Sequence, residues 1–366
     1  MRSRLLAWYL EHRRDLPWRR SRDPFAIWIS ESMLQQTRVE TVIPYYERFL
    51  ERFPDVETLA DSDIEEVYGL WAGLGYYSRA RNLHAAAKMV VEQYGGRLPD
   101  QVEDLRRLKG VGRYTAGALA SIAFDREEPL VDGNVIRVLT RWLGWRSDVS
   151  QKKVVDALWE IAGRLVLGPQ PGDLNQALME LGATVCTPRS PRCSECPIGR
   201  SCQGRKEGDV ESIPRKPRKQ RVRAVRGVAA WIERKGRVLM VRREEGGLLG
   251  GMWELPGGTI EEREPSESGL RRCLQETLAL EVSRIEAQGQ VEHLFSHRKL
   301  KLEIYRAHEA KGRIRRSGLA EHRWVTPSSI ENLAYGGPTR KALALLGQVS
   351  EESPRERLRA QKRVPS

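Results

Sequence analysis

Two carboxylates stand out in this chain by what surrounds them. Glu31 lies in an apolar run in which its helical neighbours are Ile27, Trp28 and Leu34. A carboxyl projecting from such a face loses water, its pKa rises, and it can hold a proton at neutral pH. Asp132 directly precedes Val135, Ile136, Val138 and Leu139, a helical spacing that makes it an N-cap. A carboxylate at a helix N-terminus is stabilised as the anion. One acid and one anion in opposing environments is a usual division of labour in acid–base chemistry. The plainer reading is an acid at the edge of an apolar face, paired with one of the many arginines, and an aspartate that only caps.

The stretch Leu108-Lys109-Gly110-Val111-Gly112-Arg113-Tyr114-Thr115 reads as a turn between two helices. Gly110 and Gly112 can take φ > 0 and let the backbone approach another molecule. The following helix points free N–H groups and the positive end of its dipole forward, a site suited to a DNA phosphate. An ordinary helix–turn–helix would look the same locally. A second glycine turn, Gly73-Leu74-Gly75-Tyr76-Tyr77, is followed by Arg79 and Arg81. Such a turn can wedge aromatic rings between bases, or simply pack them.

Four of the five cysteines, Cys186, Cys193, Cys196 and Cys202, are spaced C-x6-C-x2-C-x5-C. Zinc sites usually pair two short knuckles across a longer gap. Four ligands on one short loop suit a compact cluster such as 4Fe–4S, and in a reducing compartment metal is expected rather than disulfides. Arg189, Arg192 and Arg200 add positive charge to the loop.

The elements that must position these groups follow from patterning. Helical spacing covers 3–12, is broken at Leu16-Pro17-Trp18-Arg19, and restarts at Asp23-Pro24. Further helices are expected near 40–51, 63–72, 78–94, 101–108 and 116–123, and onward to about 183. Pro214-Arg215-Lys216-Pro217-Arg218-Lys219 belongs to a basic linker, 204–226. Period-2 patterning follows, with strands over 228–232, 237–241, 290–295 and 299–306 and a helix over 268–278. The fold class is multidomain. An all-α helix-hairpin-helix domain spans 1–203 and carries the cysteine loop, 186–202. An α+β domain spans 227–348, and 349–366 is a basic tail expected to be disordered.

The chain has 366 residues and a net charge of +13. A basic surface of this size points to a polyanionic partner, most often nucleic acid. No apolar run approaches the roughly 20 residues of a membrane span, and the start runs straight into amphipathic helix. The expected location is cytoplasmic, in a bacterial-type cell interior at the nucleoid.

Jointly, several pieces resemble the adenine DNA glycosylases of the MutY family, within the endonuclease III-like helix-hairpin-helix superfamily. They are Leu16-Pro17-Trp18-Arg19, Ser30-Glu31-Ser32-Met33-Leu34-Gln35-Gln36-Thr37, the Gly73–Tyr77 turn, the hairpin, Val131-Asp132-Gly133-Asn134 and the cysteine spacing. The resemblance covers nearly the whole chain. Lys109 departs from it, since the superfamily usually has proline there.

This resemblance implies a glycosylase that removes undamaged adenine mispaired with 8-oxoguanine in double-stranded DNA, a base-excision repair step with the base flipped into a pocket. It implies a monomer without membrane attachment. Glu31 would protonate adenine N7. Asp132 would stabilise the oxocarbenium ion, in the two-carboxylate logic of glycosidases. Tyr114 and Asn134 would support them. Trp18, Arg19 and Gln176 align near the adenine pocket, and Gln36 and Tyr76 with residues that intrude into the base stack. Leu108, Gly110, Val111 and Gly112 would form the DNA grip, and the four cysteines would bind 4Fe–4S. Lyase-competent relatives carry a lysine two residues after the hairpin glycine, which forms a Schiff base. Tyr114 holds that position here, so base removal without efficient strand cleavage is expected.

The C-terminal part resembles the Nudix fold, whose box runs G-x5-E-x7-R-E-x-x-E-E-x-G. Gly258, Glu264, Arg272 and Glu276 are present, but Cys273 and Thr277 replace metal-binding glutamates and Ala279 replaces the glycine. Losing two hard oxygen ligands removes most affinity for Mg²⁺. The resemblance implies a fold retained for reading 8-oxoguanine, with Phe295-Ser296-His297 matching the lesion-reading loop. The rival readings are a bifunctional endonuclease III-like glycosylase/AP lyase, a Nudix nucleotide hydrolase with a DNA-binding appendage, and a non-catalytic iron–sulfur damage sensor.

Overall fold

The computed structural model describes residues 1–215, 223–295 and 298–350. Ser296, His297, the middle of the linker and the tail after Ser350 lie outside the described residues. The chain forms two compact units, one of residues 1–61 and 82–215, the other of residues 62–81 and 223–350.

The first unit is helical. Its elements are α1 (Arg2–His12), α2 (Pro24–Leu34), α3 (Val39–Arg52) and α4 (Val56–Asp61). After α5 (Ile64–Trp71), which belongs to the other unit, come α6 (Ser78–Tyr94), whose residues up to Arg81 also belong to the other unit, α7 (Val102–Leu105), α8 (Arg113–Ile122), α9 (Gly133–Leu143), α10 (Lys152–Val166), α11 (Pro171–Thr184) and α12 (Gln203–Lys206). Asp23 starts α2 as expected, accepting from Phe25 N at 3.1 Å and Ala26 N at 3.3 Å with Pro24 in the first turn. Every residue from Phe25 to Met33 is buried, so α2 is a core helix rather than an amphipathic one. One apolar cluster joins Leu5 and Tyr9 of α1, Val135, Val138 and Leu139 of α9, Leu158 of α10 and Leu178 and Leu181 of α11.

Two glycines let these elements approach closely. A Cβ on Gly117 of α8 would lie 2.1 Å from the Pro129 carbonyl oxygen, and one on Gly182 of α11 would lie 2.6 Å from Asn134 Cβ. The helix expected over 101–108 is shorter, because the chain turns out of it into the hairpin and Val111 N donates to Leu108 O at 3.1 Å.

The second unit is built on a seven-stranded mixed sheet: β1 (Arg223–Arg234), β2 (Arg237–Arg243), β3 (Trp253–Glu254), β4 (Gly257–Ile260), β5 (Arg284–Leu294), β6 (Arg298–His308) and β7 (Leu319–Val325). The order is β3-β2-β1-β6-β5, with β4 paired to β1 and β7 to β2; β1 and β6 run parallel. Helix α13 (Ser266–Leu278) packs Leu270, Cys273 and Leu274 against Val228, Ala230 and Tyr305, and α14 (Gly337–Leu345) contributes Ala342 and Leu343 to a second cluster. The four expected strands and the helix are present. β3, β4, β7 and α14 are additional. Residues 62–81 are held in this unit by Trp253 Nε1 donating to Glu65 at 3.3 Å, by Arg242–Glu65 at 3.4 Å and by Tyr77 OH donating to Tyr335 O at 3.3 Å.

Candidate active site

Because α2 is buried all round, Glu31 is only 6 % exposed. Its partner is not an arginine. The Tyr114 hydroxyl, from the first turn of α8, donates to Glu31 Oε2 at 2.8 Å and lies 3.3 Å from Met179 Sδ. Burial pushes Glu31 up to about 7; the charge of Asp132 adds to this, while the Tyr114 hydrogen bond and Arg19 oppose it. An acid so placed is part-protonated at neutral pH.

Asp132 is the N-cap of α9. Its Oδ1 accepts from Val135 N at 2.7 Å and its Oδ2 from Asn134 Nδ2 at 2.8 Å. The expectation of two carboxyl groups shifted in opposite directions is corrected here: burial outweighs these hydrogen bonds and raises Asp132 as well. What separates the two is their partners, one phenol for Glu31 against two N–H donors for Asp132. Asn134 is itself oriented by Arg137, whose Nη2 donates to Asn134 Oδ1 at 2.7 Å and to Gly182 O at 2.6 Å, while Nε donates to Cys186 O at 2.7 Å.

Glu31, Tyr114, Asp132 and Asn134 open onto one cavity of about 520 Å³. Trp18, Arg19, Gln36 and Gln176 line the same cavity. Its size suits a nucleobase with part of its sugar. Sequence reasoning missed Arg14, Met179 and Glu180, which also line it. Their signal was available on α11: Gln176, Met179 and Glu180 fall at i, i+3 and i+4 on one helical face.

The grip residues lie elsewhere. Gly110 has φ +78°, and a Cβ there would lie 2.6 Å from Asn82 Cβ, so this position requires glycine. Gly112 does not use the left-handed region; it is extended at φ −87°, caps α8, and would meet nothing within 4 Å if given a Cβ. Leu108 and Val111 are buried anchors of the hairpin rather than exposed contacts. Gln36 and Tyr76 share a trait no local sequence signal gives. Both are non-glycine residues in left-handed backbone, at φ 58° and 49°, and both side chains are exposed. Such strain is of order 1 kcal/mol or more and gathers at functional positions.

Cys186, Cys193, Cys196 and Cys202 line one small cavity with Arg141 and Arg205. Arg141 donates to Cys186 Sγ at 3.4 Å and to the carbonyls of Thr187 at 2.7 Å and Pro188 at 3.1 Å, and Arg205 donates to Cys193 O at 2.8 Å. Burial pushes the Cys196 thiol up to about 11. Among the described residues no group of three or more His, Cys, Asp or Glu side chains is arranged to hold a metal ion.

In the second unit, Phe295 closes the β5–β6 hairpin through its N–H to Arg298 O at 2.9 Å, stacks edge-on with His293 at 4.5 Å, and lines a cavity of about 500 Å³. Of the Nudix-like box, Arg272 is clamped by Glu264 at 2.8 Å and Glu276 at 3.0 Å. Cys273 is buried, the Thr277 hydroxyl donates to Cys273 O at 2.6 Å, and Ala279 sits at φ 54° where a glycine would be unstrained. No helix among the described residues is long and apolar enough to cross a membrane.

A helix-hairpin-helix unit with one buried and one half-buried carboxyl group on one cavity defines a class, and the comparisons agree. Residues 29–164 match the model of the HhH-GPD superfamily base excision DNA repair proteins, and residues 227–345 match the NUDIX domain. The chain belongs to the adenine DNA glycosylase family. It is 41 % identical over 361 residues to adenine DNA glycosylase of Mus musculus, covering 83 % of this chain and 70 % of that one. To the Rattus norvegicus adenine DNA glycosylase it is 38 % identical over 419 residues, covering 99 % and 80 %. A solved structure of a thermostable thymine-DNA glycosylase matches with a TM-score of 0.51 and 32 % identity over 56 % of this chain and 94 % of that one.

Proposed function

We propose that this protein excises undamaged adenine paired with 8-oxoguanine in double-stranded DNA, as a monomer. The observation that carries the reading is Glu31: a buried carboxyl, held by the Tyr114 phenol and poised near neutrality, on the same cavity as Asp132. With adenine flipped into the cavity, Glu31 delivers a proton to N7 and makes the base a neutral leaving group. The C1′–N9 electron pair departs with the base. Asp132, fixed by Val135 N and Asn134, meets the positive charge that develops on the sugar; water then forms the C1′–O bond and gives up a proton to the Glu31 carboxylate, which regenerates the acid.

Tyr114 cannot form an imine, so strand cleavage through a Schiff base is not part of the reaction. Trp18, Arg19 and Gln176 form the base pocket, Gln36 and Tyr76 enter the base stack, and the backbone from Leu108 to Gly112 holds a phosphate. The helical domain (1–203) performs the chemistry, and the Nudix-like domain (227–348), joined by the linker 204–226, reads 8-oxoguanine through Phe295, Ser296 and His297. Cys186, Cys193, Cys196 and Cys202 would hold a 4Fe–4S cluster, which when bound would tie their loop into one rigid body. Supporting this reading, the four cysteines line one cavity, with Arg141 and Arg205 beside them to offset the charge of a thiolate cluster.

The test is a duplex with one 8-oxoguanine:adenine pair, excess enzyme, and product analysis with and without alkali. Adenine release with nicks only after alkali supports the reading. Intact adenine, or a Glu31→Gln variant as fast as wild type, ends it.

A further inference from the structure

The wall of the active-site cavity holds an ion cluster in which only Arg19 has so far been given a role. Glu180 of α11 is 1 % exposed, yet it carries two guanidiniums. Arg14 donates to it through Nε at 2.7 Å, Nη2 at 2.9 Å and its backbone N at 3.2 Å. Arg19 donates through Nη2 at 2.8 Å, and its Nη1 reaches the Arg14 carbonyl at 3.2 Å. The Tyr9 ring lies 5.6 Å from the Arg19 guanidinium. Arg19 therefore has little freedom, and both arginines line the cavity that Glu31 opens onto.

The charges facing Glu31 come from each element packed around it. Tyr114 belongs to α8, Asp132 caps α9, and Arg19 follows the break after α1. Arg14 and Glu180 stand behind Arg19, and Glu40 of α3 acts on Arg14. Without Glu180, two cations would share the cavity with the acid and favour its ionised form. With Glu180 in place, the trio carries one net positive charge instead of two.

We propose that Glu180 is a positioning residue for the acid: by binding Arg14 and Arg19 together it cancels one positive charge on the cavity wall, so that Glu31 keeps the proton it must deliver. The inference rests on the reading of Glu31 as the acid. It explains why a buried carboxylate that binds two arginines is built into the wall. It also gives Glu180 a role that packing alone would not require, since the loss of a charge and the loss of a contact have different signatures.

The experiment is the pH dependence of single-turnover adenine release from the 8-oxoguanine:adenine duplex, using full-length wild type, Glu180→Gln, Arg14→Gln and the double variant. Loss of the proton from Glu31 sets the alkaline fall in rate. Glu180→Gln is expected to move the midpoint of that fall down by about one pH unit, a roughly tenfold loss on the alkaline limb. The double variant restores the net charge and is expected to move the midpoint back. Arg14→Gln alone is expected to move it up. An unmoved midpoint in folded Glu180→Gln, or a double variant that stays with the single one, overturns the inference. If Glu180→Gln does not fold, Arg14→Gln decides: an upward shift supports the inference, and none or a downward one overturns it. Carboxyl NMR of Glu31, assigned by difference against Glu31→Gln, reads the same midpoints without turnover. If wild type releases no adenine, the proposed function fails, and the NMR midpoints still decide the role of Glu180.

Discussion

The Tyr114 hydroxyl donates to Glu31 Oε2 at 2.8 Å, so the side chain that cannot form an imine is also the one that holds the acid. In Tyr114→Phe the hydrogen bond, which stabilises the ionised form of Glu31, is gone. The expected result is a loss of roughly tenfold in the rate of adenine release, the worth of one hydrogen bond to a charged group. The alkaline fall in rate should move to higher pH. A pH–rate profile of the variant checks both, and a shift to lower pH would contradict this role.

Glu31→Gln should cost roughly 10²-fold or more in rate and also make the protein more stable. The folded pKa of Glu31, about 7, lies above its unfolded value of 4.5. The penalty is therefore absent below pH 4.5, grows between 4.5 and 7, and reaches about 3 kcal/mol above that range. Urea denaturation at pH 5 and pH 8 should show the variant ahead of wild type at pH 8 and nearly level at pH 5.

Glu180 behaves in the opposite sense. Burial alone would raise it, but the hydrogen bonds and charges of Arg14 and Arg19 prevail and hold it at about 2, below the usual 4.5. Its contribution is present above pH 4.5 and is lost as pH falls through 2. Arg14 is about one-third exposed, so solvent screens part of the gain, leaving about 2 kcal/mol. The acid unfolding of Glu180→Gln, followed by circular dichroism, should be less steep across this window than that of wild type.

The purified protein should carry iron and acid-labile sulfide in equal amounts. Cys196→Ser should lose most of both and melt at a lower temperature. Stoichiometric zinc in place of iron and sulfide would refute the cluster assignment.

The helical periodicity around Glu31 made its apolar surroundings readable, because neighbours at i−4, i−3 and i+3 are local facts. Asp132 was readable as a cap for the same reason. Its desolvation is not readable, since that depends on how α9 meets α11, and it is desolvation that raises Asp132 against the pull of its cap hydrogen bonds. Glu180 gave no signal by itself: its partners lie more than 160 residues upstream, and a glutamate in a helix is ordinary. In the second unit, the strands with clean apolar alternation were legible. β7, Leu-Ala-Glu-His-Arg-Trp-Val, was not, because its charged residues break the pattern and its pairing with β2 supplies the order. Nor could any local pattern place residues 62–81 with strands some 170 positions away.

Gly182 carries one more consequence. Alanine is worth about 1 kcal/mol more than glycine inside a helix, so Gly182→Ala would count as an improvement by any measure of helix quality. The added methyl would nevertheless land 2.6 Å from Asn134 Cβ and push away the residue that steadies Asp132. Clearance at the site is thus set by a missing atom. An engineer who strengthened α11 by this route would gain a better helix and a mistuned enzyme.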